Sequence, residues 1–107
     1  MSEFKKIQKL FHKFDSVNYP GNNTERMALG VAEEAGELCH HVLKRAQELG
    51  KKKKHNEEIK DALADITVFS MQIASFEGFD WEDNFLKVAK KVLKRNRKER
   101  QEYYNKK

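Results

Sequence analysis

A chain of 107 residues, 38% apolar and 36% charged, suits one small domain with a thin core. Its formal charge of +5 favours an anionic partner such as a nucleotide, a nucleic acid or an acidic protein. The single cysteine, Cys39, excludes an intrachain disulfide, no apolar run is long enough to span a membrane, and "MSEFKKIQKLF" lacks a signal-peptide core, so the sequence predicts a soluble cytoplasmic protein.

Every periodic segment has helical spacing, and no β-branched run alternates with polar residues. The first predicted helix covers about 2–16, with Phe4, Ile7, Leu10 or Phe11, and Phe14 as its apolar stripe. "NYPGNNT" breaks it, and Thr24 is the expected N-cap of a second helix that reaches about residue 49, with Gly50 at C′. "KKKKH" reads as a solvated loop. Asn56 is the expected cap of a third helix with Glu57 and Glu58 in its first turn, ending near Glu77 before Gly78. Asp80 caps the fourth helix, whose seam is Trp81, Phe85, Val88 and Val92. The basic tail, about 94–107, reads as a frayed or partner-dependent helix end. The expectation is one all-α, four-helix bundle-type domain over 1–107, its thin core completed by oligomerisation.

The stretch "GVAEEAGELCHHVLK" poses the functional question. Glu33 and Glu37 lie one helical turn apart, and Glu34 sits beside them, nearer the apolar stripe of Val31, Leu38 and Val42. On the third helix Glu58, Asp61 and Asp65 line one edge beside Ile59, Ala62, Ile66, Phe69 and Ile73. Antiparallel packing of the two apolar faces would bring both acidic edges to one groove. Such a cluster needs a cation or raised pKa values. Oxygen-only ligands suit Mg²⁺ or Mn²⁺, which commonly bind phosphorylated substrates through a few carboxylates.

"LGVAEEAGEL" followed by "KDALADITVF" resembles the MazG-like all-α nucleotide pyrophosphohydrolases, whose signature is EExxE, a spacer, then ExxD. The quoted motif core spans about 24–76. The resemblance implies Mg²⁺-dependent conversion of a nucleoside triphosphate to monophosphate and pyrophosphate, a house-cleaning role in nucleotide pools, and a homodimer or homotetramer. Glu33, Glu34 and Glu37 match EExxE. The second half departs from the pattern: Ala62 stands where the first acid belongs, Asp61 supplies one a residue early, and Asp65 matches the aspartate, with Glu58 a lesser candidate. The implied metal set is therefore Glu33, Glu34, Glu37, Asp61, Asp65 and Glu58, holding one, two or three ions. Glu34 or Glu37 would position the attacking water.

Lys44 would bind a phosphate or partner Glu37 or Glu48, and the lysines at 51–54 would steer a polyanion or merely solubilise a loop. Phe11, Phe14 and Trp81 are base-stacking or core residues, and Asn18 and Asn22 could read a base. Glu37 and His40 form an E-x-x-H, but the chain has only one on a core helix, so a di-iron site would need a second copy. Cys39 falls toward the apolar side and reads as packing. The rival reading from another class is a nucleic-acid-binding or catalytically silent oligomeric module carried by the tail "KKVLKRNRKERQEYYNKK", although the acidic edges would repel nucleic acid.

Overall fold

The computed structural model describes residues 1–95 and 97–106. It is all-α: α1 Glu3–Asn18, α2 Thr24–Gln47, a 3₁₀ turn Leu49–Lys51, α3 Lys52–Glu77, α4 Trp81–Lys94 and α5 Arg97–Asn105.

Helices α2 and α3 form the backbone of the fold. Their antiparallel register is marked by pairs running in opposite directions along the two helices. Thr24 Oγ1 donates to Glu77 Oε2 (2.6 Å) at one end, and Arg45 Nη1 donates to Asn56 Oδ1 (3.0 Å) at the other. Between them a Cβ added at Gly30 would lie 3.1 Å from the Phe69 ring, so glycine is what allows the helices to approach there. Ala62, Met71 and Ala74, all on α3, are the buried apolar residues among those described.

The caps explain the boundaries. Asn23, not Thr24, caps α2, because its side-chain carbonyl reaches the Arg26 N–H (2.9 Å) from one position earlier. The stretch expected to be a lysine loop is mostly helix, since α3 begins at Lys52. The reason is tertiary: His55 is buried against α2, and that contact outweighs the repulsion of neighbouring lysines. Asn56 therefore lies inside α3. Gly50 sits in the 3₁₀ turn, and among the described residues only Gly78 takes a left-handed backbone (φ 81°), closing α3 with its N–H on Ala74 O and Ser75 O.

Helix α1 turns only part of its expected apolar stripe inward: Ile7 and Phe11 are half-buried and Phe4 packs against Trp81. Leu10 and Phe14 are exposed, whereas Gln8 and Asp15 are buried. The buried face is polar because each group has a partner. Gln8 Nε2 donates to Ser75 Oγ (3.1 Å) and Phe79 O (3.0 Å), and its Oε1 accepts from Trp81 N–H (2.8 Å). Asp15 Oδ2 accepts from Gln72 Nε2 (2.7 Å).

Asp80 caps α4 as expected, accepting from Asp83 N–H (2.8 Å). Lys5 reaches Asp80 and Asp83, both at 2.7 Å, which raises the lysine pKa and lowers that of Asp80. Trp81 packs between Phe4 and Phe85 and donates its indole N–H to Ser70 Oγ (2.9 Å). The rest of the expected seam is open: Phe85, Val88 and Val92 are 52%, 48% and 54% exposed. The tail is helical as α5, while residues 96 and 107 lie outside those described. No described helix is long and apolar enough to cross a membrane.

Candidate functional site

Antiparallel packing carries the acids of α2 toward those of α3. Glu34 is half-buried at the helix junction, and Glu33, Glu37, Glu58, Asp61 and Asp65 are exposed. Burial pushes the Glu34 carboxyl above its usual range, and the charges of Asp65, Glu33 and Glu37 push it further. Asp65 thus acts on Glu34 from the opposite helix. Asp61 is not among the groups that raise Glu34.

A second link between the edges runs through histidine. His41 Nε2 lies 3.5 Å from Glu37 Oε2 and 3.9 Å from Glu58 Oε2. Its Nδ1 is 3.0 Å from His55 Nδ1, and His55 Nε2 is 3.2 Å from Glu48 Oε2. An ionised carboxylate only accepts, so His55 donates through Nε2 to Glu48, and a neutral His55 then accepts at Nδ1 from His41. That bond holds the Glu48 carboxyl below its usual range, with Lys51 and Lys44 assisting. Lys44 therefore acts on Glu48, one of the two partners foreseen for it.

The sequence reading missed His41 and His55. The signal was present: Glu37 and His41 are one turn apart, and pairing Glu34 with Asp65 in an antiparallel hairpin brings 41 close to 55. His40, the histidine of the E-x-x-H, is exposed and stacks edge-on against His41 instead. Cys39 is also exposed, as is Val42 of the expected α2 stripe, so its expected packing role fails within the chain.

Beside the acids lies an open cavity of about 420 Å³, to which Asp65 contributes. Phe11, Phe14, Tyr19 and Phe69 supply its aromatic walls, with Asp15 and Gln72 as buried polar groups. Phe11, Phe14 and Asn22 thus line a pocket, as their stacking and reading roles would require. Trp81 is spent on the α1–α4 contact. Asn18 is spent on its own helix, donating to Phe14 O (3.0 Å).

Among the described residues, no group of three His, Cys, Asp or Glu side chains is already arranged to hold a metal ion. The donor chemistry still fits a hard divalent cation. The four groups coupled at Glu34 offer only carboxylate oxygens, and their mutual repulsion is what such an ion would relieve. Three of the four are exposed, leaving their side chains free to turn toward it.

No match is found among curated proteins, and none among solved structures. The MazG nucleotide pyrophosphohydrolase domain model matches residues 22–99, which include the whole α2–α3 pair, both acidic edges and α4. Helical architecture, facing acidic edges and this match agree, and the chain belongs to the MazG nucleotide pyrophosphohydrolase domain family.

Proposed function

We propose that the protein is a Mg²⁺-dependent nucleoside triphosphate pyrophosphohydrolase that releases pyrophosphate and a nucleoside monophosphate. The observation that supports this reading is the approach of the two acidic edges, with Glu37 of α2 3.5 Å and Glu58 of α3 3.9 Å from the same His41 nitrogen, beside an aromatic-walled cavity that Asp65 lines. Glu33, Glu34, Glu37 and Asp65 would hold the metal, with Asp61 and Glu58 as outer candidates. When bound, Mg²⁺ neutralises phosphate charge and acidifies water.

The chain's own contribution is to place and deprotonate that water. Glu34, half-buried where its acidic neighbours are exposed, is the carboxylate we assign as the base, with Glu37 as the alternative. The water oxygen attacks the α-phosphorus, the bond from that phosphorus to the α,β-bridging oxygen breaks, and the water proton passes to Glu34. Pyrophosphate leaves with the bridging oxygen. His41 Nε2 stands beside Glu37 and Glu58, and His55, held in turn by Glu48, contacts its other ring nitrogen.

The active form would be a homodimer or homotetramer, because the apolar face of α4 is open in the single chain. The same helix carries Lys87, Lys90, Lys91 and Lys94 around a second open groove, which keeps an anion-binding module as the alternative.

Pyrophosphate release from ribo- and deoxyribonucleoside triphosphates, with Mg²⁺ and with chelator, tests the proposal. Glu34→Gln and Glu37→Gln should each lower kcat by at least about a hundredfold, the scale of a lost general base or charge stabiliser. Undiminished metal-dependent release by both variants would sink the site. No release from any triphosphate, with nucleic acid bound through the α4 lysines, would favour the alternative.

A further inference from the structure

Asp15 and Gln72 form a buried polar pair that the proposed chemistry does not use. They line the cavity that also contains Asp65, and they are 3% and 7% exposed. Gln72 Nε2 donates to Asp15 Oδ2 at 2.7 Å, while Gln72 Oε1 has no hydrogen-bond partner. The orientation of the amide is fixed by chemistry: a carboxylate accepts, so the nitrogen must face Asp15 and the oxygen is left over. A buried acceptor without a donor is uncommon in a folded protein and calls for an explanation.

The buried polar groups of this cavity are thus acceptors, a carboxylate and an amide oxygen. Its walls are aromatic, from Phe11, Phe14 and Phe69, and suit a flat ring. Its donors sit at the rim, where exposed Tyr19 and Arg26 and half-buried Asn22 complete the lining, and not beside the buried pair. Arg26 is exposed, and the Asn22 amide nitrogen already faces Met27 Sδ (3.7 Å). A ligand that satisfies the buried pair must bring N–H groups and no carbonyl at the same place.

We infer that this cavity is the base site of the proposed reaction and that Gln72 with Asp15 selects a base carrying an exocyclic amino group, rejecting one with a carbonyl there. An amino group offers two hydrogens to two acceptors. A carbonyl would face both with like partial charge and leave Gln72 unpaired. The inference rests on the pyrophosphohydrolase reading, and its test separates the two.

The measurement is kcat/KM for two matched pairs, CTP against UTP and GTP against ITP. The second pair differs only by the presence of an amino group. The amino-bearing member of each pair should be favoured, by about tenfold or more in one pair at least. Asp15→Asn supplies an N–H donor to Gln72 Oε1 and should reduce that ratio to within about threefold with no loss in Tm. Gln72→Met, similar in length but without the acceptor, should do the same, with circular dichroism showing that the helices persist.

Equal kcat/KM within both wild-type pairs, or a ratio unchanged in both folded variants, would overturn the base assignment and leave the reaction standing. If no triphosphate is hydrolysed, binding of CMP and UMP followed by NMR titration decides. Preference for CMP that both variants lose keeps the pocket and removes the reaction. Equal binding, or none, removes the pocket as well.

Discussion

The α2–α3 pair and α4 are both amphipathic, yet they end up in opposite situations. The pair finds its partner within the chain: Gly30 meets Phe69, Glu34 faces Asp65, and His41 meets His55 along one continuous junction. Helix α4 is held by its N-terminus alone, through Trp81, Asp80, Glu82 and Asp83, and no residue of it is buried. The hairpin places the acids through a junction made within the chain, although α2 too has no buried residue and Leu29, Val42, Leu43 and Leu63 stay exposed, while α4 presents an apolar stripe that the chain itself does not cover. Apolar side chains half in water forgo about 25 cal/mol for each Å² left exposed, which is the ground for proposing a second copy as the cover of that stripe.

The strongest way to break this contrast is to charge the open stripe. Val88→Glu combined with Val92→Glu should reduce the mass in sedimentation from an oligomer to a single 12.6 kDa chain, with helicity retained. A wild-type protein already monomeric at working concentration would show that the stripe is no interface. The next largest effect belongs to the hairpin. Gly30→Val would press a branched side chain into the Phe69 ring, only 3.1 Å from the Cβ position, and should cost about 1–3 kcal/mol in urea unfolding. A neutral result would show that the junction is looser than its geometry.

How much of this was legible in the sequence differs along the same division. Helix α4, its Asp80 cap and its apolar stripe were readable because periodicity and capping are local signals. The α3 glycine stop was readable for the same reason. The approach of the acidic edges, seen where His41 meets Glu37 and Glu58, was readable because two amphipathic helices in antiparallel array have few ways to dock. The start of α3 was not, since four lysines in a row suggest a loop and only the burial of His55 against α2 overrides that. Nor were the buried polar positions of α1, although Ile7 and Phe11 of its predicted stripe are half-buried. Gln8 and Asp15 carry no hydrophobic signal, and their burial depends on partners more than fifty residues away. Sequence patterning finds apolar faces and local caps, and it misses buried polar groups whose partners are remote.

Gln8 provides a smaller test of the weaker region. Gln8→Leu would leave the Phe79 carbonyl and the Trp81 N–H without their partner while keeping similar bulk. The expected loss is about 1–2 kcal/mol, and amide hydrogen exchange should quicken at the N-terminus of α4 but not in the middle of α2 or α3. Uniform acceleration along the chain would mean that α4 is not a separate cooperative unit.

The smallest effect distinguishes the acids of the site from those of the clamps. Asp80 and Glu48 sit below their usual range because they have partners, so their contribution is present at neutral pH and is lost as pH falls through their lowered pKa values. Glu34 has the opposite sign. Its raised pKa means that the folded state binds its proton first, so ionised Glu34 destabilises the metal-free protein above its raised pKa, and the penalty vanishes as pH falls below the ordinary carboxylate range. Glu34→Gln should therefore stabilise the metal-free chain at pH 7 and lose that advantage as pH falls below the ordinary carboxylate range. The same substitution should abolish hydrolysis. A carboxylate kept where it weakens the fold, and whose removal strengthens the protein while silencing it, is retained for chemistry and not for stability. Equal stability of wild type and variant across that pH range would remove this argument for Glu34 as the base.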